Sequence, residues 1–112
     1  MDISFILSFD ELFTLISLIP GRTEAGARFV ETALSGALLC DLNGLVEKKL
    51  ATRAGSELEI ALVVRMLSDA ISRADSAEVR DGVWEIHSPW VSLRCEAYPY
   101  QDKQYLITPL EG

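Results

Sequence analysis

The sequence predicts an α+β fold in which about three helices are followed by a four-stranded antiparallel meander. Up to Ala74, apolar residues recur at three- and four-residue steps, which is the period of helices that bury one face. From Ala77 onward apolar and polar residues alternate, as in strands with one buried face. Because helical and extended segments are separated along the chain, the class is α+β, and we expect one domain over residues 1–112.

The first helix is predicted to begin at Ser8. Ser8 and Glu11 have the spacing of a capping box, in which each side chain accepts a hydrogen bond from the other residue's amide. Pro20-Gly21 would end this helix, and residues 3–7 before it fit a short strand. Its apolar positions are Phe9, Leu12, Phe13, Ile16 and Ile19.

A second helix is expected after Thr23, with its apolar face reaching Leu38. Asn43-Gly44 would end it, because both residues tolerate the left-handed backbone of a helix C-terminus. Residues 45–52 fit either a strand or an extended connection.

A second capping box, Ser56 to Glu59, predicts the start of the third helix. The apolar stripe that follows indicates a central core helix. Its members are Ile60, Val63, Val64, Leu67, Ala70, Ile71 and Ala74. Leu58, Leu62 and Met66 widen the apolar surface, so we expect this helix to be covered on more than one side.

The pairing of the four strands follows from their turns. Asp81-Gly82 is typical of a two-residue hairpin, which sets Val79 opposite Trp84 and Ala77 opposite Ile86. If Ser88-Pro89 is the next two-residue turn, Ile86 lies opposite Val91. A loop near residues 100–103 would then set Ala97 opposite Leu106. The expected core face carries Val79, Trp84, Ile86, Val91, Leu93, Cys95, Ala97, Leu106 and Leu110.

The outer face of this meander is the predicted protein-binding surface. Its candidate binding residues are Trp90, Tyr98, Tyr105, Ile107 and Arg94. Large aromatic side chains supply much of the energy of protein interfaces, so we expect a homodimer through this face, with Arg94 pairing with Glu85 and Glu96 of the second copy. Two alternatives stay open: helices cover both faces of the sheet, or the aromatics are scattered surface residues.

Catalytic and cofactor motifs are missing from the sequence. Its one histidine, His87, and Cys95 would lie about 15 Å apart at roughly 3.3 Å per residue, too far for a nucleophilic dyad. The seven glycines form no phosphate-binding loop. We therefore expect no enzyme activity, no metal and no cofactor, and we expect Cys40 and Cys95 to be buried free thiols.

Charge and hydropathy disfavour further classes of binding partner. With 10 Lys and Arg against 17 Asp and Glu, the net charge of −7 disfavours nucleic acid and anionic membranes. The longest apolar run, residues 60–64, falls far short of the roughly 20 residues that span a bilayer. Because the first residues do not have the form of a signal peptide, we expect a cytoplasmic protein.

The order of elements resembles one half of the EspG-like chaperones of type VII (ESX) secretion systems. The resemblance lies in residues 4–12, 42–46, 58–70 and the closing stretch 105–110. It implies a non-enzymatic chaperone that holds secreted substrates in the cytoplasm. Family members have two pseudo-symmetric halves and a helical bundle that helps to grip the substrate. No helical sequence follows the sheet here, so the resemblance assigns no substrate contact to a particular residue.

Together these patterns predict a non-enzymatic adaptor or chaperone that binds another protein. The alternative is a small acidic inhibitor or immunity protein, whose negative charge would steer it to a basic target.

Overall fold

A computed structural model describes residues 4–39, 42–55 and 57–110, and this part of the chain has the predicted α+β class. Its helices are α1 (Phe9–Ser17), α2 (Glu24–Ala33), α3 (Leu42–Glu47) and α4 (Leu62–Ser72). Its strands are β1 (Phe5–Ser8), β2 (Ala51–Ala54), β3 (Glu57–Ile60), β4 (Ser76–Arg80), β5 (Val83–His87), β6 (Ser92–Ala97) and β7 (Gln104–Leu110).

The main sheet is antiparallel and has five strands in the order β1-β7-β6-β5-β4. The expected four-stranded meander is present as β4 to β7. The short strand expected within residues 3–7 is present as β1, and it adds a fifth strand that the predicted sheet did not include. Leu7 of β1 lies opposite Tyr105 of β7. The first and last strands of the described chain are therefore held side by side. Strands β2 and β3 form a separate two-stranded sheet.

The first hairpin of the meander has the predicted register, with Val79 opposite Trp84 and Ala77 opposite Ile86. The next connection is longer than expected: Ser88 donates its amide hydrogen to the Val91 carbonyl, and Ile86 pairs with Leu93 rather than with Val91. This displacement of two residues leaves every β6 side chain on its expected face, because the period of a strand is two.

The last strand is displaced by one residue, which reverses its faces. Ala97 pairs with Tyr105 and not with Leu106. The loop before β7 explains the displacement, because Lys103 takes a left-handed φ of 55° and the amide of Tyr98 donates to the Gln104 carbonyl at 2.9 Å. Tyr105 and Ile107 therefore lie on the core face, whereas Leu106 and Leu110 lie on the outer face, the reverse of the prediction.

The capping box at the start of α1 is confirmed. The Ser8 amide donates to Glu11 Oε1 at 2.8 Å, and the Glu11 amide donates to Ser8 Oγ at 3.1 Å. Lys48 Nζ also lies 2.8 Å from Glu11 Oε1. Burial by itself would raise the pKa of Glu11, but Lys48 and Ser8 together outweigh burial and lower this pKa. One carboxylate thus connects the start of α1 to the segment after α3.

Helix α2 begins after Thr23, as predicted, but it ends at Ala33, well before Leu38. Its end is held by Tyr105, whose hydroxyl donates to the Ala33 carbonyl at 2.9 Å. Asn43-Gly44 lies inside α3 and does not end a helix, and residues 45–52 include the second half of α3 and the start of β2. The predicted helix end was wrong, and the predicted strand or extended connection was wrong for residues 45–47 but right for 51–52.

The third predicted helix is present as α4, but it begins at Leu62 and not near Ser56. The supposed capping box was wrong, because residues 57–60 form β3 and pair with β2; Ser56 itself lies outside the described residues. The stripe of Val64, Leu67, Ala70, Ile71 and Ala74 is buried, as predicted. Val63, which was expected in the same stripe, is exposed instead. Leu62 and Met66, on the flank that was expected to be covered, are exposed as well.

The core lies between one face of the main sheet and the helices, and aromatic rings connect its parts. Phe29 of α2 meets Trp84 edge-on, with ring centroids 5.2 Å apart, and lies 6.3 Å from Tyr105. Tyr105 in turn stacks on Phe9 at 4.7 Å. Burial raises the pKa of Tyr105 to about 12, so its hydroxyl stays protonated and donates to the end of α2.

Helices α2 and α4 lie against each other at Gly26. A Cβ atom placed on Gly26 would lie 2.2 Å from the carbonyl oxygen of Ser72. Next to this contact, the Thr23 hydroxyl donates to the Ala74 carbonyl at 2.7 Å, and the Thr23 amide donates to the Ser72 carbonyl at 3.0 Å. The end of α4 is thereby fixed against the start of α2.

We predict that Gly26→Ala destabilises the protein. Alanine favours a helix by about 1 kcal/mol over glycine, and overpacking costs about 1 to 3 kcal/mol. Because the new Cβ would lie 2.2 Å from a backbone oxygen, the cost falls in the upper part of this range and the net change is a loss. Gly44→Ala is the matched control, because a Cβ on Gly44 of α3 meets nothing within 4 Å. Urea unfolding of both variants measures the difference in the free energy of unfolding. An unchanged midpoint for Gly26→Ala would contradict the prediction, because α2 and α4 would then move apart without loss of stability.

We also predict that Glu11 makes the fold sensitive to acid. A carboxyl group whose pKa is lowered by folding stabilises the protein above its unfolded pKa, and this stabilisation is lost as the pH falls through the folded pKa. The free energy of unfolding should fall less on acidification in Glu11→Gln than in the unmodified protein. Urea melts at several pH values test this, with the exposed first-turn carboxylate variant Glu24→Gln as the control.

Candidate functional site

The outer face of the main sheet, the surface predicted to bind protein, is open in the described part of the chain. No outer-face side chain of its five strands is buried, so the alternative that helices cover both faces is wrong for these residues. Arg94 is exposed there and pairs within its own strand with Glu96 at 3.4 Å. Tyr98, just after β6, is half-buried and meets Tyr100 edge-on at 5.4 Å.

The five candidate binding residues do not come together on that face. Tyr105 and Ile107, with 7% and 0% of their surface exposed, belong to the core because β7 is displaced by one residue. Trp90 lies in the connection between β5 and β6 and lines a groove formed with α1 and α4. Only Arg94 and Tyr98 remain near the predicted surface. Assigning Tyr105 and Ile107 to an outer-face interface was therefore wrong.

The sequence did contain a signal for the faces of β7. Gln104 and Thr108 share a face with Leu106. The opposite face carries Tyr105 and Ile107 and has no charged or amide side chain. The more apolar of the two sets is the one expected to be buried.

Trp90 lines a groove, a concave surface formed by the described residues. It lies between the C-terminal end of α1 and the uncovered flank of α4, with β3 at one side, and has a volume of about 1130 Å³. We call it the α1–α4 groove. It is lined by Leu15, Leu18, Ile19, Pro20, Glu59, Ile60, Leu62, Arg65, Met66, Ser68, Asp69, Arg73 and Trp90.

Large apolar side chains in this groove are unusually accessible. Leu62 is 71% exposed, Leu18 51%, and Met66 and Trp90 are each 50% exposed. Single exposed apolar residues are ordinary, but a group of them that lines one concavity is typical of an interaction surface. This site was missed because Leu62 and Met66 were expected to be covered. The sequence did contain a signal, because Leu62 and Met66 do not belong to the apolar stripe that forms the core face of α4.

The charges around the α1–α4 groove are balanced. Its lining contains two acidic residues, Glu59 and Asp69, and two basic residues, Arg65 and Arg73. Arg73 lies 3.3 Å from Asp69 and donates to the Pro20 carbonyl at 3.2 Å, so it connects the two helices. The groove therefore adds no net charge to a chain that carries −7.

Cys95 and His87 form no catalytic dyad in the described part of the chain. Cys95 is buried on the core face and His87 is exposed on the outer face, so the two side chains point away from each other. Ser68, which lines the groove, donates its hydroxyl to the Val64 carbonyl at 2.8 Å. Within the described ranges, no three His, Cys, Asp or Glu side chains are grouped so that they could hold a metal ion.

Comparison with known proteins leaves the site as the main guide to function. No protein-family model, curated protein or solved structure matches the chain. Over residues 4–39, 42–55 and 57–110, no helix combines the length and the apolar character needed to cross a membrane. What the fold and the site define is an α+β protein with an open apolar groove of balanced charge.

We predict that Cys95 reacts very slowly with thiol reagents in the folded protein. It is a free thiol, fully buried, and burial raises its pKa, so the thiolate that reacts is scarce. Cys40, the other expected buried thiol, lies outside the described residues. Alkylation with iodoacetamide followed by peptide mass spectrometry should modify Cys95 only after denaturation. Rapid modification at neutral pH would show that the β6 region opens.

Proposed function

We propose that this protein is a non-enzymatic adaptor or chaperone that binds a segment of another protein in the α1–α4 groove. One observation carries the proposal: Leu18, Leu62, Met66 and Trp90 line a single groove and are each at least half exposed. They lie outside the buried core cluster, so the core is complete without them.

The shape and lining of the groove suit a short amphipathic helix. Helix α4 has 11 residues, which corresponds to a length of about 16 Å at 1.5 Å per residue, or about three turns of a bound helix. Helices bind in such grooves through apolar anchors spaced three or four residues apart. Met66 is a flexible side chain that adapts to different anchors, and Trp90 is the residue type that most often dominates interface energy.

The resemblance to EspG-like chaperones supports the same class of function. In this proposal the bound segment belongs to a protein substrate of type VII secretion, which this chain keeps in the cytoplasm before export. The residues that carry the resemblance name no substrate contact, so we propose the groove as that contact site.

The net charge of −7 supports one alternative, a small acidic inhibitor of a basic target. Such an inhibitor would use carboxylates distributed over the surface rather than the charge-balanced groove. Its association rate would fall steeply with salt, because long-range attraction is screened as the Debye length shrinks from about 30 Å at roughly 0.01 M to about 3 Å at roughly 1 M.

We predict that the double variant Leu62→Ser, Met66→Ser loses binding to the physiological partner. The partner is isolated on the immobilised protein, purified, and its Kd is measured by calorimetry against each variant. Loss of two desolvated anchors at about 1.4 kcal/mol or more each should weaken binding at least about 100-fold. The matched control is Ile6→Ser, Leu106→Ser on the outer face, which should leave the Kd unchanged.

Two results would contradict the proposal. Equal weakening by both double variants would place the partner elsewhere than the groove. Binding that is unaffected by the groove variant but lost at high salt would support the acidic inhibitor instead.

A further inference from the structure

We propose that, when no other protein is bound, the α1–α4 groove is occupied by a second copy of this chain in a two-fold dimer whose α4 helices pack antiparallel. The proposal rests on the proposed function, because it names an occupant of the same groove. A dimer was also expected from the sequence, but through the outer face of the sheet.

The apolar surface of α4 gives the dimer its driving force. Leu62, Val63 and Met66 are exposed on this helix, and Leu18 and Trp90 are exposed beside it. A stable interface buries about 800 Å² on each copy, which is roughly a ninth of the 6942 Å² surface described here. The 13 residues that line the groove are fewer than the 20 to 30 of a standard interface, so we expect a dissociation constant near the micromolar range.

The balanced charge of the groove favours it over the rest of the surface as the dimer interface. Two copies that each carry −7 repel one another, and the repulsion is smallest where the local charge is balanced. The lining of the groove meets this condition, with Glu59 and Asp69 offset by Arg65 and Arg73.

Charge also selects the orientation of the two helices. Arg65 and Asp69 are four residues apart on α4 and both line the groove, so they lie on the same face. In an antiparallel pair with the two-fold axis level with Leu67, each Arg65 faces Asp69 of the other copy, and symmetry makes this contact twice. A parallel pair would instead place like charges together. The existing Asp69–Arg73 contact does not prevent this, since exposed pairs contribute at most about 1 kcal/mol.

The test uses charge reversal and mixing. Sedimentation equilibrium at concentrations well above the micromolar range should find the unmodified protein as a dimer. Arg65→Asp and Asp69→Arg should each be monomeric, because each one sets like charges opposite one another. An equimolar mixture of the two variants should form a heterodimer, in which every facing pair again has opposite charge. The double variant Arg65→Asp, Asp69→Arg should dimerise with itself for the same reason.

Two controls distinguish loss of the dimer from loss of folding. Circular dichroism and thermal melts establish that each variant is folded, and Arg80→Asp, a charge reversal on the outer face, should leave the dimer intact. A monomeric unmodified protein, or variants that stay monomeric when mixed, would overturn the dimer. Either result would leave partner binding that depends on Leu62 and Met66 untouched, so the two proposals fail separately.

Discussion

The contact on which the rest of the structure depends is that of Phe29 with the two rings on either side of it, Trp84 and Tyr105. Edge-on and tilted aromatic contacts contribute beyond the area they bury, and here they join α2 to both β5 and β7. Tyr105 adds a hydrogen bond to the last carbonyl of α2 and stacks on Phe9 of α1. These contacts together therefore fix the register of β7, the end of α2 and the position of α1.

The groove is a consequence of how the remaining helices are fixed. Helix α4 is held against α2 by the absence of a side chain at Gly26 and by the hydrogen bonds of Thr23. Helix α1 is held at its start by Glu11, which also binds Lys48. The two helices also contact each other and are linked by Arg73, but no described element covers the groove between the C-terminal end of α1 and the free flank of α4.

Features encoded by neighbouring residues could be predicted from the sequence, and features encoded by distant ones could not. The Ser8 capping box and the Asp81-Gly82 hairpin depend on residues a few positions apart, and both are confirmed. Which side chains of β7 face the core depends on whether the loop before it is one residue longer or shorter. Residues 57–60 pair with β2 although their sequence resembles a helix start. Trp90 could be singled out by its residue type, but its neighbours on α1 and α4 are far away in the sequence.

The edge of the sheet at β4 has one further consequence. There the guanidinium of Arg28 donates to the Ala77 carbonyl, so a main-chain acceptor of the outermost strand already has a partner. An unprotected edge strand recruits strands from other molecules, which is a common route to fibrillar aggregation. A long side chain from a helix thus occupies one acceptor of this edge strand, which leaves less of its backbone available to a strand from another molecule.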